Sequence, residues 1–168
     1  MTRLGIEFFN RDTCTVAKEL LGQKIILNNK SGIITETEAY AGENDPACHA
    51  SRGRTPRTEV MYGQAGFSYV YFVYGMHHCL NIVTENIGFP AAVLIRGIMT
   101  EDEGLIDGPG KLCKYLNANL QHNIIDITAS PQFYIEKTNA QHPKFSSSPR
   151  IGISRGKDRL WRYIMNHI

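Results

Sequence analysis

Several signatures of other protein classes are missing from this sequence of 168 residues. Its four cysteines lie far apart and form no C-x-x-C pair, which argues against a disulfide-stapled or zinc-ribbon fold. No apolar run approaches the roughly 18 residues of a membrane span, and the first residues lack the uninterrupted apolar core of a signal peptide. The sequence therefore predicts an intracellular protein with reduced thiols and no membrane association.

Cofactor-binding signatures are missing as well. We find no G-x-G-x-x-G, no P-loop and no G-x-S-x-G motif, so neither a nucleotide cofactor nor a serine-hydrolase elbow is indicated. His77 and His78 are adjacent, but neighbouring residues of a strand point to opposite faces and chelate one ion poorly. No second cluster stands at zinc-finger spacing. We therefore expect no cofactor and no metal.

Charge is nearly balanced overall, at +2, but it is unevenly distributed. Arg52, Arg54 and Arg57 cluster in a loop-like stretch, and a second basic cluster and an acidic run lie further along the chain at residues 150–162 and 101–107. This pattern indicates a basic and an acidic face, and solvated charges without a partner fit it equally well. Arginine forks suit phosphodiester groups, so the three loop arginines are candidates for contacts with a nucleic-acid backbone.

The order of predicted elements favours an α+β fold with an antiparallel sheet. The length fits one domain, residues 1–168, and we see no repeats or linkers. Asp12 or Thr13 can cap a helix that ends near Gly22, and Pro109 opens a second short helix. The Pro/Ser-rich stretch 142–149 is typical of a surface loop, and Asp158 is a candidate cap of a last helical or extended piece through residue 164. Strands are predicted over residues 24–27, 33–40, 67–73, 79–83 and 91–98.

Glu36, Glu38 and Tyr40 alternate with smaller or apolar residues in the second of these strands, so they share one face. Two carboxylates on one face repel each other, and burial would further disfavour their charged forms, which suits general base work. A solvated strand face with two ordinary glutamates is nevertheless the commoner arrangement, and spacing alone favours it.

Aromatic residues concentrate in one hairpin. Tyr69 and Tyr71 share a strand face, whereas Tyr74 has the opposite parity and lies beside Gly75 at the expected tip, with Met76 following. Bulky residues at an exposed tip are costly unless they meet something, and separated base steps are one partner for such residues. In a generic strand these residues simply pack in the core, just as His49, taken alone, is more often structural than catalytic.

Together these segments resemble the alkyladenine (3-methyladenine) DNA glycosylase family. The resemblance covers about residues 20–162, including the spacings from Glu38 to His49 and from Tyr71 to Asn81. Its motifs are Thr35-Glu36-Thr37-Glu38-Ala39-Tyr40, His49, Thr55-Pro56-Arg57, Tyr69-Val70-Tyr71 with Tyr74-Gly75-Met76, Asn81, Val93-Leu94-Ile95-Arg96, Gly108-Pro109-Gly110-Lys111-Leu112 and Pro149-Arg150-Ile151-Gly152-Ile153.

The resemblance implies a single domain around a curved antiparallel sheet, a roll or open barrel with peripheral helices and a DNA-inserting β-hairpin. It implies that Glu38 is the general base for the attacking water, and that Arg96 and a backbone carbonyl near Ile151 help to hold that water. The implied walls of the base pocket are Tyr40, His49 and Tyr71, with Asn81 as a gatekeeper against guanine. Tyr74 is implied to enter the minor groove, with Met76 beside it at the same tip.

The implied activity is that of a monofunctional glycosylase of base excision repair. It would flip 3-methyladenine or 7-methylguanine out of double-stranded DNA, hydrolyse the glycosidic bond and leave an abasic site without cutting the strand. Whether neutral lesions such as hypoxanthine or ethenoadenine are also substrates is left open. We expect a monomer that lies with the nucleoid in a bacterial cytoplasm or in a eukaryotic nucleus. Two alternatives remain, namely a non-catalytic nucleic-acid-binding module and a hydrolase that uses Glu36 and Glu38 as a carboxylate pair.

Overall fold

The computed structural model describes residues 2–139 and 142–166, and it has ten strands and three α-helices in those ranges. The helices are α1 (Ile6–Phe9), α2 (Thr13–Glu19) and α3 (Pro109–Leu116). Short 3₁₀ turns cover His49–Arg52, Glu59–Tyr62 and Leu120–His122. The strands are β1 (Thr2–Arg3), β2 (Lys24–Leu27), β3 (Lys30–Ala41), β4 (Ser68–Val73), β5 (His77–Val83), β6 (Ala91–Thr100), β7 (Gly104–Asp107), β8 (Phe133–Lys137), β9 (Phe145–Ser148) and β10 (Arg162–Met165).

All ten strands join one antiparallel sheet, in which seven follow the order β1-β8-β2-β3-β6-β5-β4 and β7 pairs with β6 off this path. The long β3 pairs with β6 along one edge. Along its other edge β3 pairs first with β2 and then with β10, which in turn pairs with β9. The sheet therefore branches at β3, and the prediction of a curved antiparallel sheet with peripheral helices is confirmed.

Both faces of the sheet are buried around its centre. On one face α2 and α3 cover a large apolar core that includes Val70, Leu80 and Ile95. On the other face the segment between β3 and β4 packs a smaller cluster around Met61, Tyr69 and other buried residues. The second face holds the candidate site, because the same loop segment that closes this cluster also forms one wall of a cavity.

Local sequence explains most element ends. The side chain of Asp12 accepts a hydrogen bond from the backbone N–H of Thr15 and so caps α2, and Pro109 stands in the first turn of α3. A register irregularity interrupts β3 against β6 near Glu36. Its partner there is Gly97, where a Cβ atom would lie 2.8 Å from Thr35 Oγ1 and 3.2 Å from Glu36 Cβ. Only glycine lets the two strands approach so closely at this point.

One local prediction was wrong. The stretch 142–149, predicted as a surface loop, contains β9, because β10 offers it a strand edge that no local propensity reveals. Of the helical or extended piece predicted after Asp158, the extended form is present, as the strand β10. The short strands β1, β7 and β8 were not predicted either. The division into a single domain over 1–168 stays a prediction.

Candidate active site

A cross-strand row brings the candidate residues together on one face of the sheet. Arg162 on β10 lies opposite Glu38 on β3, and Glu38 lies opposite Leu94 on β6. Leu94 also pairs with Asn81 on β5, which pairs with Tyr69 on β4. Directly opposed residues in antiparallel strands share a face, so residues up to 124 positions apart in sequence, Glu38 and Arg162, lie on one face of the sheet.

The row borders a cavity of about 550 Å³, within the roughly 300–1,000 Å³ that is usual for small-ligand sites. Aromatic and basic side chains make up a large part of its wall. The described residues that line it include four predicted pocket residues, the hairpin tyrosine and two arginines, namely Tyr40, His49, Tyr71, Asn81, Tyr74, Arg57 and Arg96, together with Tyr69, Leu94 and Ile151.

Glu38 has no exposed side-chain surface, and it lies one layer behind the cavity wall. One oxygen, Oε2, accepts a hydrogen bond of 2.6 Å from the hydroxyl of Tyr40. The other, Oε1, accepts one of 2.8 Å from the backbone N–H of Ile151 and lies 3.4 Å from Arg96 Nε. The predicted shared face of Glu36, Glu38 and Tyr40 is confirmed, whereas the expectation of a solvated strand face was wrong.

Tyr40 is held as a donor toward this carboxylate. Burial, together with the negative charge of Glu38, raises the pKa of the Tyr40 hydroxyl well above its usual range. The Tyr40 ring also lies 4.7 Å from the guanidinium carbon of Arg150. Arg150 itself is buried and forms a bidentate ion pair with Asp45 at 2.6 and 2.8 Å, and it donates to the carbonyl of Ala39. This pair ties the loop after β3 to the segment that carries Ile151.

The opposite wall is built by aromatic contacts. His49 Nδ1 lies 2.9 Å from the hydroxyl of Tyr69, and its ring meets the Tyr71 ring edge-on at 4.7 Å. Partial burial, and secondarily the charge of Arg57, lowers the pKa of His49 to about 4. The guanidinium of Arg57 lies 4.9 Å from the centre of the Tyr71 ring. This wall is therefore aromatic, with a neutral imidazole at pH 7.

Asn81 is buried, and its side-chain amide donates a 3.1 Å hydrogen bond to the carbonyl of Tyr69. Its position on the row places it beside Leu94, whose other neighbour is Glu38. The amide is therefore fixed by the β4–β5 ladder and held at the cavity.

The hairpin tip, residues 73–76, is the most exposed part of the site. Tyr74 is 87% exposed and Met76 is 72% exposed. A hydrogen bond of 3.0 Å from Met76 N–H to Val73 C=O closes the turn, and Tyr74 and Gly75 both have positive φ, 54° and 63°. This is the pattern of a type I′ hairpin turn, in which a tyrosine is an unusual first residue.

The three loop arginines differ in their surroundings. Arg54 forms an exposed bidentate pair with Glu59 at 2.6 and 2.7 Å. Arg57 lies on the cavity wall, and Arg52 is exposed at the end of the His49–Arg52 turn. The adjacent His77 and His78 separate as expected from strand geometry: His78 stacks against Phe72 at 4.8 Å, while His77 lies at Gly110.

Sequence reasoning missed three contacts at the site. These are the Ile151 N–H on Glu38, the buried Asp45–Arg150 pair and an ion pair between Glu36 and Arg162. All three join segments more than 100 residues apart. No local sequence pattern predicts such pairs, although Arg150 and Ile151 belong to the motif at residues 149–153 that carries part of the family resemblance.

Comparison with known proteins supplies the family. The family model described as Methylpurine-DNA glycosylase (MPG) matches residues 7–167. This chain belongs to the methylpurine-DNA glycosylase family. Relatives provisionally named 3-methyladenine DNA glycosylases are 55% identical in Sodalis glossinidius, covering 96% of each chain, and 53% identical in Ehrlichia chaffeensis, covering 94% of this chain and 90% of the relative. A Rickettsia rickettsii relative of the same provisional name is 52% identical over 96% of this chain and 89% of its own.

Two further observations bear on this methylpurine-DNA glycosylase family member. In the described ranges, no helix is long and apolar enough to cross a membrane. Among the same residues, no three His, Cys, Asp or Glu side chains meet in a group that could hold a metal ion.

Proposed function

We propose that this protein is a monofunctional DNA glycosylase that flips alkylated purines from duplex DNA and hydrolyses their glycosidic bond with a water activated by Glu38. The observation that carries the proposal is the fully buried carboxylate of Glu38, held by Tyr40, Arg96 and the Ile151 N–H directly behind an aromatic cavity. A carboxylate fixed in this way can accept a proton from water and stabilise a cationic sugar.

The water must reach Glu38 from the cavity. Ile151 and Gly152 are exposed and line the cavity, whereas Tyr40 is half-buried and Arg96 nearly buried. The segment 151–153 is therefore the side on which the carboxylate is most easily uncovered. Arg96, whose side chain lines the cavity and lies 3.4 Å from Glu38, would hold the water with Glu38 and with the backbone near Ile151.

The cavity suits a purine that already carries positive charge. A cation over an aromatic face gains roughly 0.5–2 kcal/mol, and Tyr40, His49 and Tyr71 supply the walls. Asn81 would act as the gatekeeper that disfavours the exocyclic amine of guanine. A 3- or 7-alkylated purine also leaves as a neutral base, so its departure needs no proton.

Neutral lesions are poorer substrates in this proposal. The cavity-lining residues that the structure describes include no Asp, Glu or Lys. His49, with a pKa of about 4, is neutral at pH 7 and cannot donate a proton as an imidazolium. Burial raises the pKa of Tyr71, which makes it a weaker acid still. General acid catalysis is typically worth 10²–10⁴-fold, so excision of hypoxanthine or ethenoadenine should be slower by about a hundredfold or more.

At the hairpin tip, Tyr74 and Met76 would enter the minor groove and fill the gap that the flipped nucleotide leaves. Arg52, Arg54 and Arg57 would contact the DNA backbone, although Arg54 must first leave Glu59. The enzyme would act as a monomer, without a cofactor, wherever the cell keeps its DNA.

The carboxylate-pair hydrolase is disfavoured by the surroundings of Glu36. Its Oε1 accepts hydrogen bonds from both Arg96 and Arg162, so Glu36 is engaged by two guanidiniums, and Arg96 lies between it and Glu38. The non-catalytic binding module differs from the proposed glycosylase only in that it would not release the base.

The experiment measures release of free 3-methyladenine from methylated duplex DNA under single-turnover conditions. We expect Glu38→Gln to bind the lesion but to excise it at least about a hundredfold more slowly, because it lacks the general base. Glu101→Gln, at an exposed turn between β6 and β7, is the matched control and should behave as wild type. Strand breaks should appear only after alkali treatment of the product.

Each alternative outcome has a definite meaning. Binding without base release by the wild-type chain would establish the binding module. Comparable excision by Glu38→Gln would show that another residue activates the water, and release of purine from free nucleosides would favour the other hydrolase. A parallel panel with 7-methylguanine, hypoxanthine and ethenoadenine in one duplex tests the expected preference for cationic bases.

A further inference from the structure

Glu36 joins two arginines from different strands. Its Oε1 accepts hydrogen bonds from the Nε atoms of Arg96 on β6, at 3.0 Å, and of Arg162 on β10, at 2.5 Å. These side chains are only 11–21% exposed, and the side chain of Glu36 is 12% exposed. With Glu38 they form a charged cluster in the order Glu38–Arg96–Glu36–Arg162, which contains two carboxylates and two guanidiniums and is formally neutral.

Arg96 is shared unequally within the charged cluster. Its Nε lies 3.0 Å from Glu36 and 3.4 Å from Glu38, so the shorter contact is made to Glu36, which is not the proposed general base. Its terminal Nη atoms make no hydrogen bond to any residue that the structure describes, yet Arg96 lines the cavity. Those donors are left for whatever occupies the cavity.

The strands fix this arrangement. Arg162 pairs with Glu38 across the β10–β3 ladder, which sets its side chain on the face that carries Glu36. It donates further to Ser148 on β9 at 3.2 Å. At Gly97 the lack of a side chain lets β6 approach Glu36 closely. Arg162 is thus held in place from two strands, independently of Arg96.

Without Glu36, nothing else in the described cluster would restrain Arg96 from closing on Glu38. An arginine and a carboxylate at this distance readily form a bidentate pair, which uses both carboxylate oxygens and the guanidinium edge. Such a pair would occupy the groups that must hold the water. Without Arg162, Glu36 would be a nearly buried carboxylate with only Arg96 to balance it, and it would draw Arg96 away from Glu38.

We propose that Glu36 and Arg162 are positioning residues that hold Arg96 at a working distance from Glu38, leaving its terminal donors for the attacking water. The inference rests on the proposed function and deepens it. Neither residue touches the cavity, so both act through Arg96.

A double-mutant cycle on the full chain tests the proposal. Single-turnover excision of 3-methyladenine and binding to the same duplex are measured for Glu36→Gln, for Arg96→Met and for both together. We expect Glu36→Gln to slow excision roughly tenfold while binding changes less than about twofold. A tenfold change in rate lies within the range of interaction energies found between contacting residues. In the Arg96→Met background, Glu36→Gln should slow excision by less than about twofold, because the arginine through which Glu36 acts has been removed.

Arg162 supplies an independent test of folding and charge. Arg162→Met should slow excision by a similar factor, and Arg162→Lys should restore part of it because the positive charge remains. Glu19→Gln is the matched control, since it breaks the partly exposed Arg11 pair of 2.7 Å on α2 and should leave excision unchanged. Thermal melts of all variants check that the fold is kept.

Some results would overturn the inference. If Glu36→Gln slows excision as much with Met at position 96 as with Arg, Glu36 does not act through Arg96. If Glu36→Gln and Arg162→Met both excise at the wild-type rate, the two residues hold nothing that the reaction needs. Failure of the wild-type chain to release any base would instead refute the proposed function.

Discussion

At the floor of the site, formed by Glu38 and its hydrogen-bonding partners, the carboxylate is buried and fully paired, whereas the hairpin tip is exposed. Glu38 has no exposed surface and has a partner for each oxygen, whereas Tyr74 is 87% exposed and touches little of its own chain. Buried charges are costly unless they are paired, so substitutions in the floor of the site should reduce the stability of the fold. The tip contributes little to the fold, so its residues can change at little cost in stability. Under the proposed function, the groups that catalyse the reaction also stabilise the fold, whereas the residues that enter DNA do not.

The largest effect should come from breaking the buried pair behind the site. Asp45→Asn leaves the Arg150 guanidinium buried with an uncompensated charge, and Arg150 Nε already has no hydrogen-bond partner among the residues that the structure describes. We expect the free energy of unfolding to fall by about 3–5 kcal/mol, measured by urea denaturation. Asp102→Asn, which removes an exposed pair with Lys30, should cost less than about 1 kcal/mol. Equal losses in both variants would remove the contrast between buried and exposed regions.

The tip should show the reverse behaviour. Tyr74→Ala keeps the backbone strain and removes an exposed ring, so unfolding should change by less than about 0.5 kcal/mol. Binding to lesion-containing duplex should weaken by about 1–3 kcal/mol, the usual value of an aromatic ring stacked on a base. Leu105→Ala, at a 50% exposed apolar residue on β7, is the control that should leave binding unchanged. Unchanged flipping by Tyr74→Ala would show that the ring does not enter the DNA.

The smallest expected effect is the contribution of His49 to the pH dependence of stability. Its pKa is lowered to about 4 by partial burial and by Arg57, from an ordinary value of 6.5. The unfolded chain therefore takes up a proton between about pH 6.5 and pH 4 that the folded chain resists, so stability falls as pH falls through this window. Because His49 is exposed, we expect a loss of no more than about 1 kcal/mol.

Urea denaturation of the wild type and of His49→Gln at pH 7.5, 5.5 and 4.5 isolates this contribution from that of the carboxylates. The difference in stability between the two proteins should shift in favour of His49→Gln as the pH falls. A difference that stays constant across the three pH values would mean that His49 titrates normally in the folded chain.

Much of the sheet was predictable because its strands carry local signals. The β-branched and aromatic content of β4 to β6, and the turn residues between β2 and β3, located five of the ten strands to within a few residues. By contrast, β9 is rich in serine, and it becomes a strand only because the edge of β10 is available. A strand of that kind is made by tertiary contact, which no local window contains.

The same limit applies to the site. Alternation placed Glu36, Glu38 and Tyr40 on one face, and the family resemblance assembled the aromatic wall. Burial of Glu38 was not predictable from its strand, because its cover comes from Arg96 and from Ile151, 113 residues away. The spacing of residues along a strand predicts which face a side chain lies on. The residues that it contacts there come from distant segments and cannot be predicted from the strand alone.

The positive φ of Tyr74 has a consequence for the evolution of this enzyme. A non-glycine residue in that conformation is strained by about 1–3 kcal/mol, and asparagine or glycine would adopt the turn more comfortably. More stable variants of the chain are therefore easy to reach by replacing this tyrosine with glycine or asparagine, and every one of them would lose the ring that we propose to enter DNA. A lineage under pressure for heat tolerance alone would be expected to discard it, so its retention in a chain would record continued selection for repair.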